Sequence, residues 1–488
     1  MKLIALSGGA GADTARSVCA ANGIVPTERV LHAFGKKDAK ALAQELIAEQ
    51  PTSILCFGET GFSAGLFVLP WLRKAKIPLF AVADAQTELP RSAAKFDAIL
   101  CADHTVRAHL LRTAGSAVRF RLLSDGPAVL TAPPPEKRSE IVISGSYGLS
   151  NLGDEAMLTA ILAQIETIDP RRTVTVLSRN PAETRTTHGI RTLPTFALGR
   201  LWCRLRRTKL FLSGGGTLLT DLTSTGSLLY YLTTIRLAHL AGAKVLLYSC
   251  GIGPFSSAAN KKRTARTLNR CADAIVVRDG RSADELAAIG VTVPPIIQGS
   301  DVAFSLTPEM LGSAELPQEL AALGRYVVFA LRPWNADAQT AEVIAETAQR
   351  LWLEHGLASV FLGMERPKDL PLARTIAAKL TTPHLVLENI TSFAAVYAVT
   401  THAAAVVSMR LHAMIAAGLA GVPVVGISYD IKISGHLAHI GSLDCVEYAD
   451  LTSDALFAQI SHTLESGHAY FPPQTSDGEA VLRAMLTD

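Results

Sequence analysis

The sequence predicts a layered α/β protein built from three doubly wound units, each a parallel sheet covered by helices. Three observations predict it. At 488 residues the chain is too long for one hydrophobic core and suits about three domains. Hydrophobic residues make up 49% and charged residues 18%, with few aromatics, as expected of apolar sheets sandwiched between helices. Short β-type apolar runs alternate with helical stretches along the whole chain, and the alternation is interrupted only twice.

The first unit spans 1–132. KLIAL, RVLHAF, SILCFG, PLFAVAD and AILCAD read as strands, with KDAKALAQELIAE, GLFVLPWLRKA and TVRAHLLRTA as helices. Its opening, MKLIALSGGAGA, imitates a signal peptide, but the apolar core is too short and a strand followed by a glycine loop explains it better. A cytoplasmic protein is expected, with room for a contact at the inner face of the membrane. The run TAPPPEKRSE (Thr131 to Glu140) resists both helix and strand, which predicts an interdomain linker over 133–139.

The same grammar restarts in a second unit, 140–312, with strands EIVISG, TVTVLS, KLFLSGGG, KVLLYSCGIG, AIVVRD and PPIIQGSD. A second break falls between Leu311 and Gly324. The third unit, 322–488, holds YVVFALRPW, SVFLGM, HLVLEN, AAVVSM and PVVGISYD, followed by C-terminal helices. Linker aside, the chain reads as three Rossmann-like units.

Composition narrows the function. A formal net charge of +3 argues against a general nucleic-acid binder, and no nucleic-acid partner is expected. No stretch approaches ~18 uninterrupted apolar residues, so no membrane span is predicted. The seven cysteines lie far apart without a C-x-x-C pair, which reads as buried thiols in a reducing compartment. There is no nucleotide P-loop, no H-E-x-x-H and no nucleophile elbow. His436 and His439 form an H-x-x-H pair with nothing nearby to complete a ligand set, so no metal is expected.

In open parallel sheets, ligands bind beyond the carboxyl ends of the strands. The polar words of this sequence fall there: Asn151 and Asp154 in SYGLSNLGDE, Gly214, Gly215 and Asp221 in SGGGTLLTD, and Arg278 after AIVV. Each loop alone has an ordinary reading, since strand-to-helix turns use Gly, Ser and Asp for geometry and capping. The cations are harder to dismiss. Arg410 and His412 follow AAVVSM, and Lys432 follows the next strand. Ser408 is placed to cap a helix beginning near Met409, whose free N–H groups would favour an anion. Together these suit a small substrate carrying more than one negative group. Two basic segments, GRLWCRLRRTK with Arg204, Arg206 and Arg207, and ANKKRTARTLNR with Lys262, Arg266 and Arg270, read either as solvated helix faces or as a peripheral contact with an anionic membrane.

Taken together, ISGSYGLSNLGDEAML, LSGGGTLLTDLTSTGSLLYYL, GIGP, VVRD, LRPW and SMRLHAMIAAGLAGVPVVGISYDIK resemble the polysaccharide pyruvyl transferase family, of the CsaB type, over about Glu140 to Gly441. The resemblance implies a GT-B-like pair of Rossmann-like domains with parallel sheets and the active site in the cleft between them. An additional N-terminal Rossmann/flavodoxin-like α/β domain lies outside the match. It also implies transfer from phosphoenolpyruvate, as co-substrate and without a cofactor, onto a hexose diol of a lipid-linked cell-wall saccharide, leaving a ketal and phosphate. Arg410, His412 and Lys432 are then donor-binding or catalytic positions. Such chemistry needs a general acid and cationic clamps. The expectation is His412 as acid/base, Arg410, Lys432 and Arg278 as clamps with Ser408 beside them, and Asn151, Asp154, Asp221, Gly214 and Gly215 on the acceptor side. Two readings compete. A nucleotide-sugar glycosyltransferase would need a carboxylate for ribose, for which Glu388 is the one candidate, and a non-catalytic sugar- or metabolite-binding protein would have lost its cations.

Overall fold

The structure is a computed structural model that describes the chain except for residues 1, 33, 35–36, 85–86, 88, 90–91, 103–105, 107–109, 111–119, 124–129, 131–137, 171, 223, 312–315, 430–443, 468–475 and 488. Most of the expected helix TVRAHLLRTA and of the expected linker therefore lies outside the described residues, as do Lys432, His436 and His439.

Three parallel sheets follow one another along the chain. The first contains β1 (Leu3–Ser7), β2 (Thr27–Val30), β3 (Ser53–Phe57), β4 (Leu79–Ala83), β5 (Ala98–Cys101) and β6 (Phe120–Leu122), in the spatial order β2-β1-β3-β4-β5-β6. That is the flavodoxin-like order. Strands β1, β3, β4 and β5 are buried along their whole length, as a parallel sheet covered on both faces requires. The two apolar clusters on its faces use residues between Leu3 and Leu130 alone, so this domain has its own core.

The second sheet contains β7 (Glu140–Ser144), β8 (Thr173–Ser178), β9 (Arg191–Pro194), β10 (Thr208–Gly214), β11 (Thr217–Leu219), β12 (Lys244–Ile252), β13 (Ala274–Val277) and β14 (Ile296–Gln298). Its order is β14-β13-β12-β10-β7-β8-β9, with β11 beside β12. The third holds β15 (Tyr326–Ala330), β16 (Ala358–Leu362), β17 (His384–Leu387), β18 (Ala405–Ser408), β19 (Val424–Ser428) and β20 (Cys445–Glu447), in the order β17-β16-β15-β18-β19-β20. Both repeat the Rossmann pattern, in which the direction of strand addition reverses once. The reversals fall between β7 and β10 and between β15 and β18. Register places Ser144 opposite Ser213 at the first and Ala330 opposite Ser408 at the second.

The second and third domains are not independent bodies. One apolar cluster runs from Ile141, Leu212 and Tyr248 through Leu152 and Ala156 to Val328, Phe393 and Met414. Its continuity fixes how the two sets of strand ends face each other. The end of the expected linker is tied down as well: Arg138 Nη2 donates to the Ala241 carbonyl at 2.5 Å and Nη1 to the carbonyls of Leu205 and Thr208.

One placement differs from the sequence reading. The last helix, Ser476–Thr487, was expected to belong with the third domain, but it packs on the second sheet. Leu482 and Leu486 join the shared cluster, Gly478 lets the helix approach Val276 and Tyr248, and the Leu486 carbonyl accepts from Arg172 Nη2. The cysteines also divide. Burial pushes the Cys19 and Cys250 thiols up to about 12, whereas Cys203 is exposed, contrary to expectation. Among the described residues no helix is long and apolar enough to cross a membrane, and no group of three or more His, Cys, Asp or Glu is arranged to hold a metal ion.

Candidate active site between the second and third domains

The two reversal points meet. From the second sheet, the β7 loop leads into the helix Leu152–Ile168, capped by Asn151, whose side chain accepts from the Gly153 N–H at 3.1 Å. This helix start is stitched to the third domain. The Leu152 N–H donates to the Met364 carbonyl at 2.9 Å, and Asn151 forms an antiparallel bridge with Glu365, just past β16. Across the junction, the β18 loop leads into the helix Leu411–Ala420. Gly153 lies directly against His412: a Cβ added at Gly153 would sit 2.1 Å from His412 Nδ1. The glycine is therefore what allows the imidazole to enter between the domains.

A buried ionic cluster surrounds that imidazole. His412 Nε2 is 3.5 Å from Asp301 Oδ2, an ion-pair distance longer than a well-formed hydrogen bond. Arg278 Nη1 donates to the same oxygen at 3.1 Å, and its Nη2 donates to Thr217 Oγ1 at 3.1 Å. Gly251, in the GIGP run, makes room for this guanidinium: an added Cβ would lie 3.1 Å from Arg278 Nη2. Burial would raise the Asp301 carboxyl, but His412 and Arg278 outweigh it and hold the group well below the usual carboxylate range. Asp301 is thus an anion facing His412.

Asp154 has the opposite character. It is buried, accepts from Asn151 Nδ2 at 2.9 Å, and lies against the backbone at Gly216. Burial pushes its carboxyl up to about 6, with Glu155 and Glu365 adding to the rise while His412 and Arg278 oppose it. A group so poised exchanges a proton near neutral pH, as acid/base work requires.

Arg410 does not stand free. Its Nη2 donates to Asp369 Oδ1 and reaches Glu365 Oε2 at 3.5 Å, while the Glu365 N–H donates to Asp369 Oδ2 at 2.8 Å. Burial raises the Asp369 carboxyl despite this arginine. Arg410 Nε and His412 Nε2 are buried polar atoms without a hydrogen-bond partner among the described residues. Buried donors of this kind are expensive to leave unmatched, and a bound anion would satisfy them.

Several expected roles are corrected. Met409 still pairs in the sheet through its N–H to the Ala330 carbonyl, so the helix begins at Leu411, with Arg410 at the cap position. Ser408 does not cap it; its fully buried hydroxyl accepts from the Arg410 N–H at 2.9 Å and lies 3.2 Å from the Ala330 carbonyl. Asp221 serves a loop and not the crevice. It accepts from the N–H groups of Ser256 and Ser257, from Ser256 Oγ and from Asn260 Nδ2. Burial would raise it, yet the bonds from Asn260 and the two serines bring it down to about 2. Gly214 and Gly215 are buried against Tyr147, whose hydroxyl donates to the Gly214 carbonyl at 2.7 Å. Glu388, the candidate for a ribose, is paired twice with Arg374, at 2.8 and 2.9 Å, beyond the edge strand β17. Asp301, Gly153, Glu365 and Asp369 are site residues that the sequence reading did not select.

Two facing Rossmann domains with a buried ionic cluster at both reversal points define a GT-B-like enzyme. The chain belongs to the polysaccharide pyruvyl transferase family, whose profile matches residues 151–431. No curated protein sequence matches it. Solved structures resemble it in fold. A Listeria monocytogenes protein assigned as a UDP-N-acetylglucosamine 2-epimerase is 13% identical, with a TM-score of 0.53, over 72% of this chain and 96% of that one. The UDP-GlcNAc 2-epimerase of Methanocaldococcus jannaschii is 12% identical, with a TM-score of 0.52, over 72% of this chain and 99% of that one. The S. aureus MnaA structure with UDP is 13% identical, with a TM-score of 0.50, over 71% and 95%.

The contact between Gly153 and His412 gives a direct prediction. Gly153→Ala should displace the imidazole, because the new methyl would overlap it and the helix start cannot retreat from its bonds to Met364 and Glu365. Turnover is expected to fall about 100-fold with little loss of stability, since catalytic misplacement of about 1 Å costs that much. Steady-state rates alongside thermal unfolding of the same sample would test it.

Proposed function

We propose that the enzyme moves the pyruvyl group of phosphoenolpyruvate onto two hydroxyls of a hexose in a cell-wall saccharide, carried on a lipid as in the CsaB type, and releases phosphate. The observation that carries this reading is the quartet of buried Asp154 and Asp301 with partly buried Arg278 and His412 across the two reversal points. His412, facing the Asp301 carboxylate, protonates the donor methylene, which leaves the adjacent carbon electrophilic. One acceptor hydroxyl adds there and gives up its proton to the Asp154 carboxylate. A second hydroxyl then displaces phosphate, which leaves with the electrons of its C–O bond, while His412, deprotonated in the first step, takes that hydroxyl's proton and the ketal closes. Arg278 and Arg410 hold the donor's carboxylate and phosphate; Lys432 completes that clamp. Asn151 orients Asp154 on the acceptor side. A nucleotide-sugar reading loses its carboxylate, because Glu388 is spent on Arg374.

The test is to incubate the purified enzyme with phosphoenolpyruvate and a panel of lipid-linked and aryl-lipid hexose and hexosamine acceptors. Phosphate release and a pyruvyl mass increment should appear together, and Arg410→Ala should weaken donor binding at least about tenfold by removing charge-assisted hydrogen bonds. Failure of the protein to bind phosphoenolpyruvate would overturn the reading.

A further inference from the structure

The positive charge of this protein is concentrated on one face. Between Glu183 and Asp273 the chain carries fourteen Lys and Arg residues and a single acidic one, Asp221, which is buried in its loop. The whole chain is only +3, so the surplus is local. The fold gathers it: the helices Leu198–Leu205, Thr225–Leu240 and Ala258–Cys271 lie side by side on one face of the second sheet, over a cluster that includes Leu201, Leu228 and Leu268. None of the three contains an acidic residue. Arg200, Arg206, Arg207, Lys262, Arg266 and Arg270 are all exposed. Arg204 is not part of this free set, because it is paired with Glu140 at 2.9 Å.

Large apolar side chains are exposed on the same layer. Phe196 is 63% exposed and Leu240 69%, and Leu198, Trp202 and Leu229 are exposed as well. On the first helix Leu201 and Leu205 face the core, while Leu198 and Trp202 form a second, outward stripe. Arg200, Arg204 and Arg207 line a third side along a cavity of about 500 Å³, which Leu193, Gly199 and Cys203 complete. Cations alone would suit any polyanion. Cations interleaved with exposed Leu, Phe and Trp suit an interface that is charged at its surface and apolar beneath it. The layer also leads to the active site. Phe196 packs edge-on to Tyr230 at 5.4 Å, Tyr230 on Tyr231 at 5.2 Å, and Tyr231 is close enough to Asp154 to feel its charge.

We propose that this helical layer docks the enzyme on an anionic lipid bilayer. Phe196, Leu198 and Trp202 enter the headgroup region, and the exposed arginines and lysines contact lipid phosphates. The chain of aromatic rings then places the acceptor side of the crevice next to the membrane.

Flotation of the full-length protein with vesicles would decide it. Vesicles of phosphatidylcholine and phosphatidylglycerol in equal parts should carry the protein upward, and phosphatidylcholine alone should not. Raising the salt should release it, because exposed charges are screened. The triple variant K262E/R266E/R270E should lower partitioning at least about 100-fold, each basic residue near such a surface contributing about fivefold. Phe196→Ala with Trp202→Ala should lower it about tenfold through lost apolar insertion. Both variants should keep their circular dichroism and their turnover on a soluble acceptor. Equal binding to neutral vesicles, no binding to anionic vesicles, binding untouched by the charge reversals, or a single-stranded oligonucleotide bound in preference to vesicles would each overturn the proposal.

Discussion

His412→Ala is expected to lower kcat about 1,000-fold while changing the KM for phosphoenolpyruvate far less, the range for loss of a positioned general acid. His412 is the imidazole lodged between the two domains, with Gly153 against one side of the ring and the Asp301 carboxylate, held ionised by His412 itself and by Arg278, facing Nε2. Under the proposed mechanism, removing the ring takes away the proton donor and leaves the arginine clamps in place, so binding should survive while chemistry does not. Thermal stability should fall moderately, because the buried Asp301 carboxylate loses its leading electrostatic partner and keeps Arg278 alone. A variant with near wild-type turnover would show that the proton comes from another group. Loss confined to KM would make His412 a binding residue.

Asp154→Asn should do two opposite things, destroying activity and stabilising the fold. The wild-type carboxyl titrates at about 6 in the folded state, against an ordinary value of 3.8. Because the folded value is the higher one, the folded protein binds the proton more tightly than the unfolded chain does. Ionisation of Asp154 therefore costs stability progressively as pH rises from about 3.9 to about 6, and the full cost persists above that. Two units correspond to roughly 3 kcal/mol. Asparagine has no charge to bury, so the variant should be more stable than wild type by about that amount at pH 8, and the difference should vanish toward pH 4. Denaturant unfolding at both pH values checks the sign, and turnover should fall at least about 100-fold through loss of the base. A variant that is destabilised at pH 8 would mean that the Asn151 contact, not the charge, governs this position.

Much of this architecture is legible in the sequence, and for a physical reason. Strands buried on both faces are continuous apolar runs, so SILCF, LFAVA, YVVFA and AVVS announce themselves, and the polar loops beyond them mark the ends where ligands bind. Four short or half-exposed strands are not legible. RTLP in β9 is only partly buried, and TLL in β11, CVE in β20 and FRL in β6 span three residues each. No periodicity can accumulate over so short a length. The cations of the candidate site are legible because Arg and His at strand ends are unusual. Their carboxylate partners are not, because an Asp after a strand is the ordinary residue for a cap. Asp301 does cap a short turn, accepting from the Ala303 N–H, and only the meeting of two domains shows that it also faces His412. Glu365 and Asp369 left a fainter signal, two acids opening the loop and helix after β16.

The helix Ser476–Thr487 gives the chain a circular construction. Its end returns across the third domain to cover the sheet with which the catalytic unit began, so the second domain is not a contiguous stretch of polypeptide. Cutting at the boundary that the strands suggest, after about residue 312, would strip Val276 and Tyr248 of their cover and open an apolar groove on an otherwise finished sheet. The two halves of the crevice consequently share one apolar cluster, and an exchange of the second Rossmann unit for another would have to carry this strap with it.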